Sequence, residues 1–349
     1  MSPAPPQTFL VSRTDAIGDV VLTLPVCGHL KELHPGCRVV LIGRSYTAAM
    51  AAACPWVDDF LNLDELHLLP EPQQVAALRQ YNAAAIVHVF PNRLLARLAQ
   101  KARIPVRIGT RNRWRHWLSC NRLVALSRRH SPLHEAQLNL QLLRPLGGAA
   151  ETPLPAVAPL VRLEAAEPLA EPWQRLLHQR QPGQLNVILH PRSRGSAREW
   201  GLVNFGRLAQ LLHAAGHRVF ITGTAAEGEE LADWLRENAA FLAANLTGQL
   251  SLPQFIAFIA AADGLVAGST GPLHLAAALG RHALGLYPPI RPMDPGRWAP
   301  LGAHASYLVF DKPACQDCRG QPATCACIRA IGPLEVAAHV LAWLPPAAG

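Results

Sequence analysis

Short, nearly unbroken apolar runs alternate along this chain with longer stretches of mixed apolar and polar residues. The runs are Phe9–Ser12, Arg38–Gly43 and Ala83–Val89, then Leu185–His190, His217–Thr222 and Gly264–Ala267. Apolar character without alternation is the mark of strands buried on both faces, as in a parallel sheet covered by helices. Between them, Val20–Leu33, Ala48–Ala53, His134–Leu146, Leu202–Ala215, Leu252–Ala262 and Leu334–Leu344 read as helices. Strand and helix in turn predict an α/β protein with a doubly wound parallel sheet. The rhythm breaks once, at Ala149–Pro172, a stretch rich in Pro, Ala and Glu that reads as a linker. It then restarts. The pattern therefore predicts an N-terminal domain over 1–160, a C-terminal domain over 161–332 and a closing helical segment over 333–349, with the two sets of strand-end loops facing each other across a cleft.

The densest signal is GLVAGSTGPLHLAAALG, Gly264–Gly280. A buried strand ends at Ala267, and Gly268-Ser269-Thr270-Gly271 makes a turn of small residues. Pro272 stands where a helix begins, a place where its missing N–H costs nothing. Gly280 stops that helix. A strand, a glycine turn and a helix N-terminus together form an anion site, because free N–H groups and the positive end of the helix dipole point outward. A second signal is Arg13-Thr14-Asp15-Ala16-Ile17-Gly18-Asp19, directly after the first strand. Open α/β sheets bind ligands at the carboxyl ends of their strands. Asp19 has two readings there: an N-terminal helix cap, the commoner role for Asp at such a position, or a general base at the mouth of the site.

Composition adds an anionic partner. The 349 residues carry a formal net charge of +8, with a pI near 9.4. Between Pro91 and His130 lie Arg93, Arg97, Lys101, Arg103, Arg107, Arg111, Arg113, Arg115, Arg122, Arg128 and Arg129, without one acidic residue and with Trp114 and Trp117 among them. Such a face fits a polyanion: nucleic acid, or a phosphorylated glycolipid at a negatively charged leaflet. No nucleic-acid-binding module is recognisable, so nucleic acid is not expected. No apolar run is long enough to span a bilayer, and the N-terminus lacks a signal peptide's basic and apolar regions. The expectation is a cytoplasmic protein, peripheral on the inner membrane, with its eight cysteines reduced. Cys315, Cys318, Cys325 and Cys327 could supply thiolates to zinc, but the second pair is spaced by one residue, which is poor for a zinc knuckle. Reduced thiols bracing an irregular loop are the preferred reading, with no metal.

Three motifs together carry a resemblance: Ser12–Pro25 (SRTDAIGDVVLTLP), His190–Trp200 (HPRSRGSAREW) and Gly268–Gly280. In this order and at these separations they resemble the glycosyltransferase family that contains the lipopolysaccharide heptosyltransferases. The resemblance runs through nearly the whole chain. It implies the GT-B architecture of two Rossmann-like domains, with the closing helix returning to the N-terminal domain, and transfer from a nucleotide-activated sugar, typically ADP-heptose, to a hydroxyl of a growing glycolipid core, with inversion in one displacement. By that resemblance Asp19 matches the catalytic base. Ser193 falls near phosphate-contacting hydroxyls, and Arg198 stands where the family usually has lysine. Glu227 matches a carboxylate that holds the ribose, and Thr270, Gly271 and His274 match the diphosphate turn. Ser269 departs from the family's usual Asp, which leaves the donor sugar open. His274 also has a plain reading as a packed helix histidine. Arg13, and Arg113 and Arg115 of the basic face, are the acceptor-binding candidates. No Asp-x-Asp pair is present. With Arg198 and a helix N-terminus at hand, neither a metal nor another cofactor is expected. A same-fold enzyme with another donor or acceptor, and a silent sugar-nucleotide-binding protein, are the alternatives.

Overall fold

The computed structural model describes residues 6–112, 114–128, 131–313, 315–321 and 324–343. The side chains of 114–116 are not described. The chain divides into two units, Met1–Leu163 and Glu164–Gly349.

In the first unit the strands are Thr8–Ser12 (β1), Arg38–Gly43 (β2), Asp59–Asn62 (β3), Ala85–His88 (β4), Val106–Thr110 (β5) and Arg122–Val124 (β6). They form one sheet in the order β3-β2-β1-β4-β5-β6, and every pairing is parallel. The second unit holds Asn186–His190 (β7), Arg218–Ile221 (β8), Ala244–Asn245 (β9), Gly264–Gly268 (β10), His282–Tyr287 (β11) and Ala305–Val309 (β12). Its order is β12-β11-β10-β7-β8-β9, again parallel throughout. Counted from its own first strand, the second sheet repeats the first. Both are the Rossmann order, in which the chain reverses its direction of travel between the first and fourth strands. That switch point lies between β1 and β4 in one unit and between β7 and β10 in the other.

The central strands are apolar because both of their faces are covered. Leu10, Val40, Ile42 and Ile86 pack with Leu95, Leu98 and Leu78 in the first unit. In the second, Val187, Leu189, Val219, Val266 and Leu284 pack with Phe205, Leu208 and Leu212 of the helix Leu202–Ala214. Trp200 anchors this core, edge-on to Phe205 with ring centroids 4.9 Å apart, its indole N–H donating to the Ile331 carbonyl at 2.9 Å.

Several elements differ from the sequence reading. The first helix is two, Ile17–Val21 and Leu24–Leu33, because Pro25 has no N–H to continue the ladder. The expected helix over His134–Leu146 is an α-helix, Glu135–Leu140, followed by a 3₁₀ segment, Gln141–Leu146, that contains Pro145. His134 caps it, accepting from the Ala136 N–H, while its own N–H donates to Gln137. The linker is more ordered than expected. Leu154–Val157 is helical, and Val157 and Leu160 are buried, with Trp56 donating to the Leu160 carbonyl at 3.0 Å. The closing helix, Pro333–Leu341, runs along Leu202–Ala214 in the second unit, where the sequence reading expected it to return to the first domain. Its Val336 and Val340 complete the second core, and Trp343 stacks on His282 at 5.1 Å.

Candidate functional site

In the first unit the candidate base lies beside the switch point. Strand β1 ends at Ser12, and Arg13 to Ala16 lead into the helix Ile17–Val21. Asp19 is the third residue of that helix. The helix cap is Ala16, with no side-chain bond, so the capping role weighed for Asp19 is not the one it plays. Its carboxylate instead accepts a short bond from the Arg13 guanidinium. The same guanidinium forks onto Asp15, Nε to Oδ1 at 2.5 Å and Nη2 to Oδ2 at 2.9 Å, and reaches Glu135 Oε1 at 3.5 Å. Arg13 is 3% exposed and also lies over the Phe90 ring, which follows β4. Arg13, an acceptor-binding candidate, is held by three carboxylates, of which Asp15 and Asp19 are part-exposed and Glu135 is buried. Of the other two acceptor candidates, Arg113 lies outside the described residues, and Arg115 falls in the helix Trp114–Ser119, where its side chain is not described.

Burial pushes the Asp19 carboxyl up, to about 6. Arg13 pulls it down, Asp15 and Glu135 push it further up, and Arg128 pulls it down again. Asp19 is thus a carboxylate with the proton affinity of a working base near neutrality.

In the second unit the two expected motifs follow the two strands that flank the switch point. The segment Pro191–Glu199 follows β7 and the turn Ser269-Thr270 follows β10. The two loops touch: a side chain on Gly268 would come within 3.2 Å of the Arg198 carbonyl. Ser193 sits in a self-braced turn. Its hydroxyl donates to the Ala197 carbonyl at 3.0 Å and accepts from the Gly195 N–H at 3.3 Å, while Glu199 Oε1 takes its N–H at 3.0 Å. Arg194 and Gly195 both adopt the left-handed conformation that closes the turn, which at Gly195 costs nothing. Arg198 is 6% exposed, with its guanidinium held by Cys318, Nε to Sγ at 3.4 Å and Nη2 to the carbonyl at 3.2 Å.

Past the turn, the helix Gly271–Ala278 begins, with Thr270 as its cap residue and Pro272 in its first turn. The Thr270 side chain makes no cap bond. The residue is 5% exposed and its hydroxyl oxygen has no partner. An unpaired buried hydroxyl beside free helix N–H groups is a place prepared for an oxygen-rich ligand. Ser269 hydrogen-bonds the buried Tyr287, whose hydroxyl burial pushes upward in pKa and that bond pulls back down. Tyr287 also donates to the Trp298 carbonyl. His274 is buried within the same helix at 3% exposure.

Glu227 lies beyond β8, in the helix Ala225–Glu230. Its Oε2 accepts from the Thr224 N–H at 2.7 Å and hydroxyl at 3.0 Å, a capping box that fixes the carboxylate at 5% exposure. Beside it His190, at the end of β7, is bonded to the Thr222 hydroxyl at 3.0 Å. Burial lowers its pKa to about 4, which keeps it neutral. Ser193, Arg198, Glu227, Ser269, Thr270, Gly271 and His274 therefore gather at the carboxyl edge of one sheet.

The eight cysteines are free and buried. Cys315, Cys318, Cys325 and Cys327 all belong to the second core, with Cys315 and Cys327 sulfurs 3.5 Å apart. Among the described residues, no group of three or more His, Cys, Asp or Glu side chains is placed to hold a metal ion.

The sequence reading missed three partners: Glu135, Tyr287 and Cys318. Glu135 had a signal, as the first acidic residue after the acid-free run. Tyr287 and Cys318 had none, since each meets its partner only through the fold.

The sequence profile of Glycosyltransferase family 9 (heptosyltransferase) matches residues 75–328. A Haemophilus influenzae protein whose glycosyltransferase assignment is provisional is 29% identical over 326 residues, 88% of this chain and 90% of that protein. The lipooligosaccharide heptosyltransferase 2 of the same organism is 25% identical over 301 residues, 82% of this chain and 84% of that one. The solved structure of Escherichia coli ADP-heptose LPS heptosyltransferase II superposes with a TM-score of 0.75, covering 96% of this chain and 97% of that one at 20% identity. At that identity the likeness speaks for the fold, which is GT-B. With the family profile matching residues 75–328, the greater part of the chain, this chain belongs to glycosyltransferase family 9, the heptosyltransferase family.

Proposed function

We propose that this protein transfers heptose from ADP-heptose to a hydroxyl of the lipopolysaccharide inner core, inverting the anomeric centre without a metal. The observation that carries the reading is Asp19, a part-exposed carboxylate at the carboxyl end of β1 with its proton affinity raised to about 6. The second unit binds the donor. The N–H groups opening the helix Gly271–Ala278 and the Thr270 hydroxyl take the diphosphate, with Arg198 adding positive charge beside them. Glu227 accepts from Thr224 through Oε2, which leaves Oε1 for the ribose. The first unit supplies the base and the basic face for a phosphorylated glycolipid. In the reaction the acceptor oxygen attacks the anomeric carbon from the face opposite ADP, its proton passes to Asp19, and the bond to the β-phosphate breaks. Charge that builds on the leaving diphosphate meets fixed N–H dipoles and a guanidinium, which is where electrostatic stabilisation acts. The site belongs in the cytoplasm, at the face of an anionic inner membrane, with nucleic acid no partner.

A second reading keeps the fold and changes the sugar or the acceptor. Ser269 favours it, because a hydroxyl bonded to Tyr287 stands where the family usually has a carboxylate. A titration of the purified protein with ADP-heptose, ADP and a UDP-sugar at fixed salt separates the two. Tighter binding of ADP-heptose is expected; preference for the UDP-sugar would move the protein to the second reading. Turnover is expected to survive EDTA, and loss of turnover restored by magnesium would contradict metal-independent chemistry.

A further inference from the structure

Tyr287 ends β11, is fully buried and belongs to no motif that the proposed chemistry uses. Its ring lies against Gly285, two residues back on the same face of the strand. A Cβ at Gly285 would overlap that ring and come within 2.9 Å of Leu273 Cδ2, in the helix Gly271–Ala278. The missing side chain of Gly285 thus makes room for a phenol between the strand and the helix, and the phenol oxygen reaches Ser269 in the turn before that helix. Ser269 is half-buried. It is the middle residue of a three-residue turn, closed by the Thr270 N–H donating to the Gly268 carbonyl at 2.7 Å.

The direction of the bond between the two hydroxyls follows from their protons. A phenol has one proton to donate, and Tyr287 gives it to the Trp298 carbonyl. Trp298 is itself held, its indole N–H donating to the Pro292 carbonyl at 2.8 Å and its backbone N–H to the Asp294 carbonyl at 3.3 Å. Burial raises the Tyr287 pKa, so the phenol keeps its proton at neutral pH. Toward Ser269 the phenol therefore offers only lone pairs, and Ser269 is the donor. That uses the single proton of the Ser269 hydroxyl, and what remains for a ligand is an acceptor. An ionised diphosphate brings only acceptors of its own and gains nothing there. A sugar hydroxyl brings a proton. The ribose is assigned to Glu227, which leaves the sugar that is transferred. We propose that Tyr287 is a positioning residue for donor selection: by taking the Ser269 proton it makes Ser269 an acceptor for a hydroxyl of the transferred sugar. The inference rests on the reading of Ser269–His274 as the nucleotide-sugar turn. A serine so held presents lone pairs alone, as a carboxylate would at the same place.

The test uses the full chain and compares its affinity for ADP-heptose with that for ADP, which lacks the sugar. Tyr287→Phe keeps the ring and removes the oxygen that takes the proton. Binding of ADP-heptose should weaken by about 3- to 10-fold, the worth of one hydrogen bond, with ADP binding nearly unchanged. Ser269→Ala removes the acceptor and should show the same split between the two ligands. The double variant should bind no more weakly than Ser269→Ala alone, because both residues act through one hydroxyl. A Tyr287 that only fills space would weaken both ligands by the same factor, or add its loss to that of Ser269→Ala, and either result overturns the proposal. Should Tyr287→Phe not fold, as a melting curve would show, Ser269→Ala decides alone: equal losses for ADP-heptose and ADP overturn it. If the wild type prefers a UDP-sugar, the donor assignment fails by itself, and the same comparison is made between that UDP-sugar and UDP with the same deciding outcomes. A wild type that binds neither nucleotide would remove the donor-site reading and the proposal with it.

Discussion

Asp19 shows how one residue can be half legible. An aspartate after a glycine at the end of a first strand marks a site, and the sequence says as much. Its role depended on where the helix starts. The helix begins at Ile17, so Asp19 lies inside the first turn, and its carboxylate turns to Arg13 instead of the backbone. Two predictions belong at this scale. Asp19→Asn should lower turnover by at least about 100-fold, within the range of general-base assistance, and leave donor affinity nearly unchanged; a donor titration beside a rate assay reads both. In the wild type, kcat/KM should decline as pH falls through about 6, because a base with a raised pKa is lost by protonation below that value. A flat profile down to pH 5 would count against the assignment. Tyr287 and Cys318 were beyond the sequence because each meets its partner across a chain separation that no spacing rule spans.

At the scale of elements, the apolar runs located three of the four interior strands in each unit, β1, β2 and β4 in the first and β7, β8 and β10 in the second. Strands buried on both faces are written in unbroken apolar residues. Four of the others were hidden for identifiable reasons. β6 and β9 are edge strands of three and two residues. β5, VRIGT, lies inside the arginine-rich run, where charge masked it. β11 is apolar, but so is the helix Gly271–Ala278 just before it, and the boundary between two apolar elements carries little periodic signal. The glycine that ends β10 was legible as a place of close approach, and a Cβ there would come within 3.2 Å of the Arg198 carbonyl. The other end of β10 gives a stability prediction. A Cβ at Gly264 would overlap the Trp343 ring and come within 2.8 Å of His282 Cβ. Gly264→Ala should cost about 1–3 kcal/mol, the range for overpacking a core, and lower the melting temperature. An unchanged melting curve would mean that the closing helix is free to shift.

Across the whole molecule, the same six-strand plan is used twice, each time with candidate site residues beside the switch point, and that repetition is what the linker in the sequence announced. No helix among the described residues is long and apolar enough to cross a membrane. The net charge of +8 and the acid-free run from Pro91 to His130 fit the proposed anionic surface. Trp117 and Leu118 stand out on that run at 62% and 70% exposure, with the indole N–H tied to the Arg111 carbonyl at 2.7 Å. Binding to vesicles containing an anionic phospholipid, weakened by added salt and absent with zwitterionic vesicles, is the expected result of a sedimentation assay. The most direct measurement is ADP release from ADP-heptose in the presence of an inner-core acceptor that lacks its heptose. Wild-type protein should release ADP only when that acceptor is present, and Asp19→Asn should stay at background. Equal release from the two proteins, or transfer from a UDP-sugar with none from ADP-heptose, would contradict the proposed reaction.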